Sequence, residues 1–113
     1  MGYSVNQLKQ LAKNNPEEFL QIINNMSDVF TLTFAVEIMG EEITDESRML
    51  PIIRRLLKHI HALVREGALY AVSSFYGNKK PPTDILERMK VMSQVDPSPG
   101  VKECASDLLK DFE

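Results

Sequence analysis

Two stretches of the chain with the same spacing of small and apolar residues decide the fold: residues 64–75, VREGALYAVSSF, and residues 101–112, VKECASDLLKDF. They are 37 positions apart, and each carries its small and apolar residues at the i, i+3, i+4, i+7 spacing of one helical face. A second series, at a spacing of 36, aligns Met49, Leu50, Ile53 and Leu56 with Ile85, Leu86, Met89 and Met92. Two helical faces that recur at this period predict a helix–turn–helix unit repeated along the chain.

Start and stop signals predict seven helices, and no segment shows the strict alternation of a β-strand. Ser4 and Gln7 have the spacing of a capping box, and a proline such as Pro16 is tolerated in the first turn, where no backbone donor is required. The predicted helices run from Ser4 to about Asn14, from Asn15-Pro16 onward, from about Asp28 to Met39 with a stop at Gly40, from Thr44 or Asp45 to about His59, from Ala62 to Tyr76, from Pro81-Pro82-Thr83 to about Gln94, and from Asp96-Pro97-Ser98-Pro99 to the end of the chain. We therefore expect an all-α fold.

The start of the last predicted helix carries a family resemblance. Residues 96–109, from Asp96-Pro97-Ser98-Pro99 through Val101 and Ala105 to Leu108-Leu109, resemble the first helix of a HEAT repeat. Residues 64–68 resemble the core of the same pattern, although His59-Ile60-His61 stands where the family has Asp and Pro. The resemblance covers roughly residues 28–113. It implies a short right-handed α-solenoid of about seven antiparallel helices, roughly three and a half repeats, that recognises other macromolecules.

This interpretation divides the chain into one domain, residues 1–113, with capping helices at both ends. Residues 1–27 are the N-terminal capping helices, 28–60 and 61–95 are repeats, and 96–113 are a C-terminal capping half-repeat. Since the terminal helices are polar on one side, we expect a monomer. The length of 113 residues, with 43% hydrophobic and 26% charged residues, suits a single globular domain. No signal peptide or membrane-spanning run is recognisable and Cys104 stands alone, so we expect a cytoplasmic protein without membrane contact or disulfides.

Nothing in the sequence predicts catalysis, a cofactor or a metal site. A glycine-rich phosphate loop, a Gly-x-Ser-x-Gly elbow and a Cys-x-x-Cys pair are all missing. His59 and His61 are two residues apart, which on a helix would turn them about 200° from each other and prevent chelation of one metal. The favoured interpretation is that both are solvated or junction-lining residues in the turn before the fifth helix. Cys104 takes the repeat position of Gly67, which predicts a small packing residue, and a glycine inside a helix predicts close approach of a neighbour. We expect a protein that is not an enzyme.

The charge distribution indicates a candidate binding surface. The net charge of −3 divides into −6 for residues 1–47, +6 for residues 48–90 and −3 for residues 91–113. On the fourth predicted helix Arg48, Arg54, Arg55 and Lys58 stand opposite the apolar face, and Arg88 and Lys90 follow on the sixth. The resemblance implies that the second helix of each repeat lines the concave surface. These six residues are therefore predicted to form one basic stripe that faces a groove.

Four interpretations of the stripe stay open at this point. The favoured function is a protein–protein scaffold or adaptor whose basic groove binds an acidic protein partner. The second is binding to the phosphate backbone of a nucleic acid, against which an isoelectric point near 5.4 and the lack of interleaved aromatics argue. In the third, the stripe is a solvated face that balances the acidic ends of the domain. A HEAT-type lyase is the remote fourth, and it would need a substrate cavity.

Overall fold

Side-chain caps begin five of the helices in residues 2–112, the part of the chain that the computed structural model describes. At the first helix Ser4 Oγ accepts the backbone N–H of Gln7, and the Gln7 side chain accepts the N–H of Ser4, so the predicted capping box is confirmed. Asn15, Asp28, Asp45 and Ser98 each accept a backbone N–H in the first turn of the helix that follows them. These caps satisfy donors that have no partner inside a helix, which is why the helices begin where polar residues precede apolar runs.

Residues 2–112 contain seven α-helices and no strand, so the predicted all-α class is confirmed for this part of the chain. The predicted outer limits of the domain, residues 1 and 113, lie outside the described residues. The helices are α1 Val5–Asn14, α2 Pro16–Asn25, α3 Val29–Glu42, α4 Glu46–Leu56, α5 Ala62–Tyr76, α6 Thr83–Val95 and α7 Pro99–Asp111. In this part of the chain, no helix is long and apolar enough to cross a membrane.

Gly40 does not stop the third helix, so that prediction was wrong. The helix continues through Gly40 to Glu42, and the glycine lies buried against Ala71 of α5. A Cβ atom placed on Gly40 would be 2.5 Å from Ala71 Cα and 2.7 Å from its carbonyl oxygen. Only glycine allows the two backbones to approach this closely. The fourth helix also differs from its prediction, because it ends at Leu56, and a turn carries the chain on to His59.

Helices α3 and α5 lie at the centre of the molecule. Helix α3 packs against α1, α2 and α5, and α5 packs against α3, α4 and α7, while α6 packs against α7. Thr33 meets Gly67, and Gly40 meets Ala71, so the contacts follow the same order along both central helices. The two helices therefore run side by side in the same direction. The radius of gyration of 13.3 Å is close to the ~13 Å of a compact domain of about 100 residues.

A buried ion pair joins α5 to the turn before α7. Arg65 Nε and Nη2 each lie 2.9 Å from a carboxylate oxygen of Asp96, and the two side chains are 9% and 3% exposed. Arg65 Nη1 also donates to the carbonyl oxygens of His59 and Ile60, and Asp96 accepts the backbone N–H of Ser98. Burial of Asp96 opposes its ionisation. Even so, the hydrogen bonds from Arg65 and Ser98, with the charges of Arg65 and Arg88, hold its pKa below the ordinary value.

Candidate functional site

The basic residues predicted to form one stripe divide into two groups. Successive residues of a helix are rotated by about 100° around its axis. Arg48 and Arg55 contact side chains of α2, whereas Arg54 contacts α6. Lys58, in the turn after α4, lies on the α6 side with Arg54. The expectation of a single stripe was therefore wrong, because Arg48 and Arg54 are six residues apart, which places them about 120° apart around the helix axis.

The α4–α6 cleft is more enclosed than the groove between α2 and α4. It holds about 300 Å³, and three of its lining residues are basic: Arg54, Lys58 and Arg88. Its other lining residues are Leu57, Asp84, Ile85, Glu87 and Val91. Leu57 and Ile85 lie in the core beneath the cleft, and Val91, which is 45% exposed, is its accessible apolar lining residue. The cleft thus combines apolar surface with cationic groups at its edge. Lys90 lines neither groove.

An exposed ion pair already occupies part of this cleft. Arg54 Nε and Nη2 donate to the two carboxylate oxygens of Asp84, at 2.8 and 3.2 Å. The hydrogen bond from Arg54 lowers the pKa of Asp84, and the same bond raises the pKa of Arg54, so both groups are charged at neutral pH. The positive charge of Arg54 is therefore largely matched within the chain. Sequence analysis missed Asp84, because no spacing rule pairs residues on separate helices.

Within the α4–α6 cleft, Lys58 and Arg88 are the cationic residues that form no ion pair with the described residues. Lys58 is exposed and forms no ion pair within residues 2–112. Arg88 is partly buried, and its Nε atom is buried with no hydrogen-bond partner among the described residues. The Arg88 charge also helps to lower the pKa of Asp96. A buried donor of this kind is stabilised when a ligand supplies an acceptor.

The α2–α4 groove holds its two arginines in contact with polar side chains of α2. Arg48 lies 3.5 Å from a carboxylate oxygen of Glu17 and 3.5 Å from one of Asp45. Arg55 donates to the side-chain oxygen of Asn24 at 3.0 Å. Arg48 and Arg55 line this groove with Glu17, Leu20 and Pro51 among others. Each arginine of this groove therefore contacts a polar side chain of α2, whereas Lys58 and Arg88 of the α4–α6 cleft form no ion pair with the described residues.

His59, His61 and Cys104 do not line the α4–α6 cleft. His59 and His61 lie in the turn before α5, as predicted, and because they are not on a helix their ring centroids are 5.6 Å apart. Burial, helped by the charges of His61, Arg55 and Arg65, lowers the pKa of His59. Cys104 is partly buried against the core, and burial raises the pKa of its thiol. Among residues 2–112 no group of three His, Cys, Asp or Glu side chains is placed to hold a metal ion.

Comparisons with protein-family models, with curated proteins and with solved structures found no match for this chain.

Proposed function

We propose that this protein is a non-catalytic interaction module whose α4–α6 cleft binds an acidic segment of a partner protein. The observation that carries the proposal is that the cleft places the exposed apolar residue Val91 beside two cationic residues, Lys58 and Arg88, that form no ion pair with the described residues. An acidic segment with apolar side chains fits such a cleft: its carboxylates meet Lys58 and Arg88, and its apolar groups cover the exposed side chain of Val91.

The solenoid architecture belongs to the same proposal. The 37-residue recurrence and the parallel course of α3 and α5 support a HEAT-like right-handed solenoid in which successive helix pairs alternate in direction. In that arrangement α2, α4 and α6 line the concave side, where a partner segment contacts several helices together. We propose that the module acts as a monomer, since α1 and α7 turn charged and polar residues such as Lys9, Lys13, Glu103 and Asp107 to solvent.

An acidic protein segment fits the cleft better than a nucleic acid does. Asp84 and Glu87 line the same cleft as Lys58 and Arg88, and carboxylates beside the path of a phosphate backbone repel it. A protein partner can place its own donors opposite Asp84 and Glu87, which a row of phosphates cannot do.

The test is a titration with a labelled peptide of alternating Glu and Leu residues, followed by fluorescence anisotropy. We expect saturable binding to the wild-type protein and a loss of about tenfold or more in the Lys58→Glu variant, because like charges then face each other. Lys9→Glu is the matched control: it reverses an exposed charge on α1, far from the cleft in the contact order of the helices, and leaves the affinity unchanged.

The contradicting results are equally specific. If Lys58→Glu and Lys9→Glu bind the peptide as the wild-type protein does, the cleft is not the site. A mixed-sequence DNA duplex and its single strand are titrated in parallel at low and moderate salt. Binding of either that is tighter than peptide binding and falls steeply with salt would replace the protein partner by a nucleic acid.

A further inference from the structure

Helix α3 carries a row of large side chains that the rest of residues 2–112 does not cover. Phe30, Phe34, Glu37 and Glu41 are spaced by four, three and four residues, so they form one strip along the helix. Phe30 is 67% exposed and Phe34 is 49% exposed. Two phenylalanines one turn apart in water are costly for a helix that otherwise lies at the centre of the core.

The neighbouring helix extends the same surface. Leu63 and Tyr70 are seven residues apart on α5, on one side of that helix, and are 45% and 48% exposed. Both flank Gly67, which packs against Thr33 of α3. On α3, Phe30 lies to one side of the contact residue Thr33, and on α5, Leu63 lies to one side of the contact residue Gly67. Because the two helices run in the same direction, Phe30 and Leu63 face the same side of the helix pair. We call this surface, formed by Phe30, Phe34, Glu37, Glu41, Leu63 and Tyr70, the aromatic–acidic face.

The charges on this face indicate what covers it. Glu37 and Glu41 form no ion pair within residues 2–112. Partial burial and the neighbouring charge of Glu41 raise the pKa of Glu37, so the carboxylate lies where a cation would stabilise it. Apolar side chains with two unmatched carboxylates beside them favour a partner that is itself apolar and basic.

We infer that the aromatic–acidic face binds a basic amphipathic helix of a partner protein, whose apolar side covers the exposed side chains of α3 and α5 and whose Lys or Arg residues pair with Glu37 and Glu41. Such a helix presents apolar residues at positions i, i+4 and i+7. Along the axis of α3, Phe30 and Phe34 are about 6 Å apart, and along the axis of α5, Leu63 and Tyr70 are about 10 Å apart. These distances match one and two helical turns. An acidic helix would instead place like charges beside Glu37 and Glu41.

This inference does not rest on the function proposed for the cleft, because the two surfaces share no residue and select partners of opposite charge. The probe is a labelled synthetic helix of Leu and Lys, with a second peptide in which Glu replaces every Lys. Anisotropy titrations at ~50 mM and ~500 mM salt measure how much of the affinity depends on charge. We expect saturable binding of the Lys peptide, weakened at the higher salt. In the Lys58→Glu variant, whose cleft repels acidic peptides, the Glu peptide should bind at least tenfold more weakly than the Lys peptide.

Variants locate the contact. We expect Phe30→Ser with Phe34→Ser to weaken the Lys peptide by about tenfold or more, since exposed aromatics act as interface anchors. Glu37→Gln with Glu41→Gln should weaken it at low salt and remove most of the salt dependence. The control, Val95→Ser, removes a side chain that is 69% exposed at the end of α6, and it leaves binding unchanged. Lys58→Glu also leaves it unchanged, which separates this surface from the cleft.

Two outcomes would overturn the inference. The first is Lys-peptide binding that is absent, or that survives the paired phenylalanine and glutamate substitutions. The second is sedimentation showing a dimer that Phe30→Ser with Phe34→Ser converts to a monomer, because a second copy would then be the occupant of the face.

Discussion

Two arginine–aspartate pairs in this molecule have nearly the same geometry and opposite surroundings. Each joins residues about 30 positions apart through two parallel hydrogen bonds, at 2.9 and 2.9 Å for Arg65–Asp96 and at 2.8 and 3.2 Å for Arg54–Asp84. The first pair is almost wholly buried between α5 and the start of α7. The second is about half exposed, with side chains 45% and 58% accessible, at the mouth of the α4–α6 cleft.

The difference shows that burial determines whether an ion pair acts mainly on the stability of the fold or on the charge that the surface offers to a partner. Removing one member of a buried pair leaves a charge without solvent or partner, which strongly destabilises the fold. An exposed pair contributes little to folding because water and salt screen it, yet it sets how much charge the surface offers to a partner. We therefore expect the inner pair to control stability and the outer pair to control recognition.

The largest expected effect follows removal of Asp96. We expect Asp96→Ala to lower the free energy of unfolding by about 3–5 kcal/mol, because Arg65 stays buried without its counter-charge. Urea unfolding followed by circular dichroism measures the change. Arg65→Met combined with Asp96→Ala should recover part of the loss, since neither charge is then stranded. A double variant that is less stable than Asp96→Ala alone would contradict this explanation.

The next largest effect on stability is expected at the contact between α3 and α5, where substitutions of two glycines can be compared. We expect Gly40→Ala to lower the free energy of unfolding by about 1–3 kcal/mol, because the new Cβ atom meets the backbone of Ala71. Gly67→Ala is the matched variant. Its Cβ atom would lie 3.3 Å from Thr33 Cγ2 and from the Thr33 carbonyl oxygen, so the stability should change much less. Equal losses at both positions would show that the two helices separate easily at Gly40.

These two predictions also show what the sequence could and could not reveal. Polar caps such as Ser4 and Ser98, and the apolar spacing of each helix, are local signals, and they predicted seven helices with bounds close to those observed. Gly40 was misinterpreted because a glycine can end a helix or permit close packing, and only the position of Ala71 distinguishes the two. Arg65 lies between Val64 and Glu66 and had the pattern of a solvent-facing residue, since its partner is 31 residues away.

The candidate site was predictable in composition and not in arrangement. The excess of basic residues between 48 and 90 drew attention to α4 and α6, the two helices beside the cleft. The division of Arg48 and Arg55 from Arg54 follows from helix geometry alone and could have been derived from the spacing. The match between Arg54 and Asp84, by contrast, depends on how two helices pack, and no local pattern encodes it. The same is true of the exposed phenylalanines of α3, whose spacing is that of core residues.

Acid should weaken the inner pair, with a smaller effect than removing it. The pKa of Asp96 in the folded state is below its ordinary value of about 3.9. Its contribution to stability is therefore complete above that ordinary value and is lost as the pH falls through the lowered pKa. We expect the difference in Tm between the wild-type protein and Asp96→Asn to be constant from about pH 5 to 7 and to shrink below about pH 4. A difference that instead grows toward low pH would reverse the assigned direction.

Removing the outer pair, Arg54–Asp84, should have the smallest effect on stability. The same change tests whether this pair sets recognition at the α4–α6 cleft. The measurement is the affinity of the alternating Glu–Leu peptide for Asp84→Asn, with Asp107→Asn as control, because Asp107 is an exposed aspartate on α7, 4.0 Å from Lys110, outside the cleft. We predict that Asp84→Asn binds the peptide about three- to tenfold more tightly, because the charge of Arg54 becomes available to it. The control should bind as the wild-type protein does, and Asp84→Asn should unfold at a nearly unchanged temperature. An affinity that is unchanged or weaker in Asp84→Asn would show that the Arg54–Asp84 pair does not limit binding at the cleft.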